Sequence, residues 1–344
     1  MFEAILTLCL AGGEGGCRDV LLPGYEGATG AACARALAAQ PPDLAVFSEW
    51  AAQGAPGCAP TGQALALEEV APGLWVHVGR IEEPDAGNRG DVSNLAIVIG
   101  EAGVAVIDSG SARWVGESLW RAIRARTDLP VTHVILTHMH PDHVFGASVF
   151  AGAEVVGHAR LPRALADRQE NYRDSLARLI GPALIGTRVP QVTRTVEDSA
   201  DIDLGGRVLT VTALPAAHSV ADVTVMDEAT GTLIAGDLLF HMHTPALDGS
   251  LRGWQEALKD LHAKDIQRVV PGHGAAALPW PEGGADLRRY LETLARDTRA
   301  AIDAGERLGD AVQHIAEGER PRWRLFEAYN PRNATVAFTE LEWE

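Results

Sequence analysis

The most restrictive feature of this sequence is a short histidine-rich segment, Thr137–His143, that reads THMHPDH. It contains four side chains that can bind a metal ion, namely His138, His140, Asp142 and His143. The segment follows the almost wholly apolar run His133–Thr137, which is typical of a strand buried on both faces. Imidazole and carboxylate groups are ligands of zinc, iron and manganese. We therefore predict a metal site on the loop that leaves this strand.

The spacing within the segment favours two ions. His138 and His140 are two residues apart, so their rings can converge on one ion, whereas Asp142 and His143 turn the other way and can bind a second. Two ions need further ligands, and candidates follow other predicted strands, namely His218, Asp237 and His273. Because α/β proteins gather their sites beyond the carboxyl ends of strands, we expect these side chains to join the same site.

Length and charge restrict the class of protein. The 344 residues give room for about two domains. They include 29 Lys and Arg residues and 46 Asp and Glu residues, which gives a net charge of −17. A surface this negative repels the phosphate backbone of nucleic acids. We therefore expect no nucleic-acid partner. No apolar run reaches the ~18 residues of a membrane-spanning helix, so we also expect no membrane span.

The pattern after about residue 66 predicts sheet layers covered by helices. Apolar and alternating runs predict strands at Leu74–Val78, Ser93–Ile99, Gly103–Asp108, His133–Thr137, Glu154–Gly157, Val208–Leu214, Val223–Asp227 and Leu233–Ala235. Helical spacing predicts helices at Ala112–Arg126, Gly253–His262 and Ala285–Ala304. A polar amphipathic helix at Arg160–Ile180 is either a lid or a solvated helix. Its Arg168 and Tyr172 could meet a substrate, but we expect them to face solvent. Asn330 and Pro331 predict the start of a C-terminal helix.

The N-terminal segment differs from the rest. All four cysteines lie in it, at Cys9, Cys17, Cys33 and Cys58. Their even number suggests two disulfides and therefore an oxidising compartment. The alternative is four free thiols in a cytoplasmic protein. If disulfides form, four cysteines can pair in three ways. Phe2–Leu10 predicts a strand. This run is too short for a signal peptide and contains Glu3. Residues 12–16 predict a flexible turn. Thr29–Gln40 predicts a helix capped by Thr29. Gly54–Gly62 predicts a linker, so we divide the chain into residues 1–65 and 66–344.

From about residue 70 to 280, the sequence resembles the metallo-β-lactamase-fold hydrolase superfamily. The motif H-x-H-x-D-H and the later ligands match in type and order. The resemblance implies an α+β fold, the αββα sandwich, with a dinuclear site at one edge of its sheets. It implies that His138, His140 and His218 bind the first metal and that Asp142, His143 and His273 bind the second. It also implies that Asp237 bridges the two metals and that Asp108 orients a ligand through hydrogen bonds.

The bridging Asp237 places the chain on the glyoxalase II and lactonase side, because zinc β-lactamases generally have Cys or Ser in that role. More particularly, the chain resembles the quinoprotein relay system zinc metallohydrolases, which are associated with periplasmic quinoprotein dehydrogenases. Three stretches carry this likeness, namely CRDVLLPGYEG, HTPALDGSLRGW at His243–Trp254 and NPRNATVAFTELE. The group's export implies a periplasmic location, whereas a chain from which no signal sequence was removed is cytoplasmic.

These features together predict a hydrolase with two Zn²⁺ ions, with Fe or Mn as alternatives. Two such ions ~3.5–4 Å apart lower the pKa of a shared water towards 7, and the hydroxide attacks the carbonyl of a small thioester, lactone or lactam. Asp142 and Asp237 are the expected catalytic residues, Asp142 as the group that handles the proton. Two alternatives remain, a mononuclear iron persulfide dioxygenase and a relay protein that binds a partner through residues 1–65. The oligomeric state is left open.

Overall fold

The computed structural model describes residues 1–10 and 16–343. The N-terminal part forms a four-stranded sheet in which β1 pairs with all three other strands. Its strands are β1 (Phe2–Cys9), β2 (Cys17–Gly27), β3 (Ala51–Ala52) and β4 (Gly57–Pro60). Helix α1 (Gly30–Ala39) follows β2, and Thr29 caps it by accepting a hydrogen bond from the Ala32 amide, as predicted. The predicted turn at residues 12–16 lies almost wholly outside the described residues.

Two disulfides cross-link this sheet, as the clustering of cysteines predicted. Cys9 pairs with Cys17 between β1 and β2, and Cys33 pairs with Cys58 between α1 and β4. The prediction of a linker at Gly54–Gly62 is wrong in part, because Gly57–Pro60 forms β4 and pairs with β1. Glycine and proline are ordinarily poor strand residues, but here the partner strand and the Cys58 disulfide fix the extended backbone.

Two larger sheets follow. The first has seven strands, in the order β11-β10-β9-β8-β7-β6-β5. They are β5 (Glu68–Ala71), β6 (Leu74–His77), β7 (Leu95–Ile99), β8 (Val104–Ile107), β9 (Val131–Ile135), β10 (Glu154–His158) and β11 (Arg194–Val196). Strands β8 to β11 run parallel, so their carboxyl ends share one edge of the sheet.

The second large sheet has six strands in sequence order. They are β12 (Ser199–Asp203), β13 (Val208–Ala213), β14 (Val223–Asp227), β15 (Thr232–Phe240), β16 (Arg268–His273) and β17 (Leu278–Pro279). Only β15 and β16 are parallel to each other. All nine residues of β15 are buried, so this strand lies at the centre of the molecule.

The remaining helices are α2 (Arg113–Arg124), α3 (Pro141–Val144), α4 (Leu161–Ile180), α5 (Leu251–His262), α6 (Ala285–Asp303), α7 (Leu308–Ala311) and α8 (Phe326–Leu341). Short 3₁₀ turns lie at Ala45–Phe47, Ala147–Val149, Gly181–Leu184, Glu282–Gly284 and Glu317–Arg322. None of the helices in the described part of the chain combines the length and the apolar character needed to span a bilayer.

The layers follow from where the apolar side chains lie. A core containing Ile107, Ile135, Val211 and Ile234 fills the space between the two large sheets. Apolar residues of α2 and α4 cover the outer face of the first sheet, and those of α5, α6 and α8 cover the second. The predicted αββα sandwich is therefore confirmed.

The C-terminal helix differs from its prediction. It begins at Phe326, not after Asn330, and contains Pro331 in its interior. Asn330 is 1% exposed and does not cap the helix; instead its side chain accepts a hydrogen bond from the Tyr290 hydroxyl and donates one to the Ile315 carbonyl. Tertiary contacts have therefore overridden a local pattern that favours a helix start.

The N-terminal sheet packs on α2 through buried ion pairs. The carboxylate of Glu117, 1% exposed, accepts hydrogen bonds from Arg18 at 2.6 Å, from Arg113 at 3.0 Å and from the Leu21 amide at 3.1 Å. Arg121 of the same helix bonds Glu3 of β1 at 2.7 Å. Charged groups of both parts of the chain thus satisfy each other in this interface.

Candidate metal centre

The structure brings the seven predicted ligands together in two adjacent groups. The first group contains His138, His140, His218 and Asp237, and the second contains Asp142, His143 and His273. Within each group the candidate ligand atoms lie within 4.8 Å of one another. We use these two names, first group and second group, below.

The candidate ligands lie on or after strands of the two sheets, near one edge. His138 and His140 follow β9, and Asp142 and His143 lie in the single turn of α3, which Pro141 begins. His218 lies between β13 and β14, Asp237 lies on β15 and His273 ends β16. The ligands that are far apart in sequence therefore meet because the carboxyl ends of β9, β15 and β16 face the same edge of the sandwich.

Asp237 lies between the two groups. Its Oδ2 is 3.6 Å from His138 Nε2 and 3.5 Å from His218 Nε2. Its Oδ1 is 3.2 Å from His143 Nε2 and 3.4 Å from His273 Nε2. A side chain at position 272 would collide with Oδ1, so Gly272 is what allows β16 to approach this carboxylate. One oxygen thus faces each group.

The chemistry of these atoms fits divalent cations. Two buried atoms, His143 Nε2 and Asp237 Oδ1, have no hydrogen-bond partner among the residues that the structure describes. An unpaired buried polar atom costs about 1–3 kcal/mol, so a native protein ordinarily satisfies it. Three imidazole nitrogens also converge, with His140 Nδ1 3.1 Å from His138 Nε2 and 3.0 Å from His218 Nε2. One cation in each group would satisfy these lone pairs.

Hydrogen bonds on the outer side of the imidazoles set the ring orientations. Asp108 Oδ2 lies 2.8 Å from His143 Nδ1, as the family resemblance implied, and the same carboxylate accepts hydrogen bonds from the amide and hydroxyl of Thr137. The Val92 carbonyl lies 2.9 Å from His273 Nδ1. With the outer nitrogen donating its proton, the inner nitrogen keeps a lone pair for a metal.

Electrostatics differ between the groups. Burial lowers the pKa of His218 to about 3 and, together with neighbouring imidazoles, holds the pKa of His138 well below its usual value. Burial also opposes charge on His143, but the carboxylates of Asp237, Asp142 and Asp108 outweigh it and raise its pKa well above 6.5. Without a cation, this second group attracts protons; a bound metal ion takes their place.

A cavity of about 420 Å³ opens above the ligands. Its floor includes His140, Asp142, Asp237 and His273, and helices α4 and α8 form two of its walls. From α4 come Arg168, Tyr172, Leu176 and Leu179, and from α8 come Tyr329, Arg332, Asn333 and Val336. Both side chains thus line the cavity, although that of Arg168 is still 42% exposed, so the expectation that they face solvent holds only in part. Arg168 bonds Asp248 at 2.6 Å, and the Tyr172 ring lies 6.3 Å from that of His140.

The sequence did not point to several residues around the site. Asp248 accepts a hydrogen bond from His140 Nε2, and the α8 residues close the cavity some 60 residues beyond the last ligand. A weak signal existed, because Asp248 and Asn333 both lie in stretches that carry the narrower family likeness.

A comparison with protein families matches residues 88–273, more than half of the chain, to the metallo-β-lactamase superfamily. The chain belongs to the metallo-β-lactamase superfamily. The match confirms the predicted class, a metal-dependent hydrolase of this superfamily, with a His and Asp cluster that implies divalent metal ions. A fold of this class fits a small-molecule substrate.

Solved structures share the fold. A metallo-β-lactamase from Pontibacter korlensis is 20% identical, covers 66% of this chain and 99% of its own, and gives a TM-score of 0.54. The stereoselective inverting sec-alkylsulfatase Pisa1 from Pseudomonas sp. is 15% identical, covers 80% of this chain and gives a TM-score of 0.62. Only 50% of the sulfatase is matched. The DIM-1 metallo-β-lactamase is 16% identical, with a TM-score of 0.52 over 67% of this chain and 98% of its own.

Proposed function

We propose that this metallo-β-lactamase-superfamily protein is a dinuclear zinc hydrolase that acts on small acyl substrates of the thioester, lactone or lactam type. The position of Asp237 carries the proposal, because its two oxygens face different groups of candidate ligands. His138, His140 and His218 would hold the first ion, Asp142, His143 and His273 the second, and Asp237 both. When bound, two divalent ions lower the pKa of a water towards 7 and polarise a carbonyl.

The chain's own residues supply the rest. The carboxylate of Asp142 lines the cavity and is partly exposed to it, so we assign to it the proton of the attacking water. The side chains of Leu176, Leu179 and Val336 form an apolar wall that can hold an acyl group and exclude water. A cavity of about 420 Å³ is large enough for a small molecule.

Arg332 supports a substrate with a negative charge. Its guanidinium lies at the cavity, 5.9 Å over the Tyr329 ring, and no carboxylate of the described residues pairs with it. We expect Arg332→Gln to raise KM about tenfold for a carboxylate-bearing lactone or thioester, the loss of one charge-assisted hydrogen bond. The uncharged amide of the same compound should keep its KM. Equal changes for both compounds would show that Arg332 does not recognise charge.

Metal analysis tests the proposal directly. Protein purified without chelators should contain about two zinc ions per chain, and a strong chelator should abolish hydrolysis of the thioester, lactone and β-lactam panel until zinc is restored. About one iron per chain with little zinc would contradict the dinuclear mechanism and favour oxygen-dependent chemistry on persulfides.

We also propose that the protein works in an oxidising compartment such as the periplasm. The two disulfides of the N-terminal sheet support this location, because such bonds persist where thiols are not kept reduced. A role beside a quinoprotein dehydrogenase, and a division into residues 1–65 and 66–344, remain part of this proposal. Fractionation of the native host with a periplasmic marker tests the location.

A further inference from the structure

Helix α8 holds one loop next to the first group of ligands. We call this loop, Pro245–Asp248, the support loop. Asn333 of α8 is 1% exposed, and its side chain bonds the loop twice. Its Oδ1 accepts from the Leu247 amide at 2.9 Å, and its Nδ2 donates to the Pro245 carbonyl at 2.6 Å. One buried amide of α8 thus bonds two backbone groups of the support loop, and the Asp248 amide also donates to the His218 carbonyl at 2.9 Å.

The same loop holds the outer nitrogens of two ligands. The Ala246 carbonyl accepts from His218 Nδ1 at 2.6 Å, and Asp248 Oδ2 accepts from His140 Nε2 at 3.1 Å. The inner nitrogens of these two rings lie 3.0 Å apart and face the proposed ion. A shift of the support loop therefore turns both rings together.

Further contacts connect the support loop and the residues on either side of it to α4, to α8 and to the segment before α8. Arg168 of α4 donates to Asp248 at 2.6 Å. On the far side, Glu340 of α8 accepts from the Ser250 hydroxyl at 2.9 Å and from the Leu251 amide at 2.7 Å. On the near side, the Thr244 amide donates to the Arg324 carbonyl at 2.9 Å. The C-terminal segment thus fixes the chain before, within and after the loop.

The second group does not depend on this loop. Asp108 orients His143, and the Val92 carbonyl orients His273. Both partners belong to the half of the chain that forms the first large sheet. A change at Asn333 should therefore reach one group and leave the other intact.

We propose that Asn333 is a positioning residue for the first metal: through the support loop it sets the orientation of His140 and His218. The inference rests on the proposed dinuclear function. The proposed role explains why the stretch His243–Trp254 contacts the segment that begins at Asn330. In this role Asn333 acts through its two hydrogen bonds to the backbone of the loop.

The test compares Asn333→Leu with Asn330→Leu in the full-length protein. Both amides are 1% exposed on the same helix and both bond the Tyr290 hydroxyl, but only Asn333 reaches the support loop. Zinc dissociation constants are measured by chelator competition, and Co²⁺ absorption reports the ligand geometry. We expect Asn333→Leu to weaken the first site by about 10-fold, the lower end of the cost of losing an outer partner, because the outer partners remain but shift, and to change the Co²⁺ spectrum. Asn330→Leu should keep both affinities.

Stability is followed in parallel by urea unfolding, because both substitutions remove buried hydrogen bonds. If the leucine variants do not fold, Asn333→Ser and Asn330→Ser replace them. Equal losses in the Asn333 and Asn330 variants, or unchanged affinities in both, would overturn the positioning role alone. A wild-type protein that binds only one ion would overturn the proposed dinuclear function, and with it this inference.

Discussion

Asp237→Ala is expected to remove tight metal binding at both groups at once and to lower kcat/KM by more than about 100-fold, the upper end of the cost of losing a group that only orients a ligand. The reason is geometric, since Oδ2 lies 3.5 Å from His218 Nε2 and Oδ1 lies 3.2 Å from His143 Nε2. Metal content after dialysis and kcat/KM on the best substrate of the acyl panel measure the effect.

Asp227→Asn is the matched control. Asp227 is fully buried on β14 and pairs with Arg207 at 2.6 Å, outside both groups of ligands. Its replacement should lower stability but leave the metal content unchanged. If Asp237→Ala keeps two ions per chain after the same dialysis, its carboxylate is not shared between them.

Glu117→Ala is expected to lower the free energy of unfolding by about 3–5 kcal/mol, because it leaves Arg18 and Arg113 without their carboxylate in a buried interface. Burial alone would raise the pKa of Glu117, but the two guanidinium groups hold it below 4.5. The contribution is therefore complete above about pH 4.5 and is lost as the pH falls through the lower folded-state pKa. Urea unfolding at pH 7 and at lower pH measures both effects.

Glu256→Ala provides the comparison for Glu117. Glu256 pairs with Lys259 at 2.8 Å, but both side chains are largely exposed, and such pairs contribute at most about 1 kcal/mol. A loss of less than about 1 kcal/mol in Glu117→Ala as well would mean that the interface with the N-terminal sheet does not depend on this carboxylate.

The interface also decides how a partner-binding role of residues 1–65 has to be tested. Deleting the segment removes Arg18 and the Leu21 carbonyl, which accepts from Arg113 at 2.8 Å. The deletion therefore exposes buried charge on α2 and is expected to destabilise the hydrolase body. Substitutions on the outer face of the sheet separate binding from stability better than truncation does.

Sequence reasoning located the candidate ligands because each has a distinctive side chain on or after a predicted strand. His273 ends β16, whereas Asp237 lies inside β15, which extends beyond the predicted Ala235 to Phe240; the two meet because these strands are parallel neighbours. Asp248 and Asn333 could not be found in this way. An aspartate in a loop and an asparagine in a helix are common, and their partners, His140 and the Leu247 amide, become neighbours only when the helices pack.

The N-terminal part shows a second limit of local patterns. The strand at Phe2–Cys9 and the cap at Thr29 were predictable from the nearby sequence. The pairing of Cys33 with Cys58 was not predictable, because four cysteines allow three pairings and the sequence does not distinguish them. Strand β4 was not predicted because its glycine and proline are poor strand residues. At the C-terminus, Pro331 favoured a helix that starts at Asn330. The helix instead begins at Phe326, because tertiary packing extends it towards the N-terminus.

The anchoring of the support loop by α8 has a consequence for how the enzyme matures during synthesis. All seven ligands have left the ribosome once His273 has emerged, but Asn333 follows 60 residues later. A nascent chain, or one cut by a protease before α8, would carry all seven candidate ligands and still lack Asn333, to which we assign the orientation of two of them. Tight binding of the first metal would then be among the last properties the chain acquires and among the first that C-terminal damage removes.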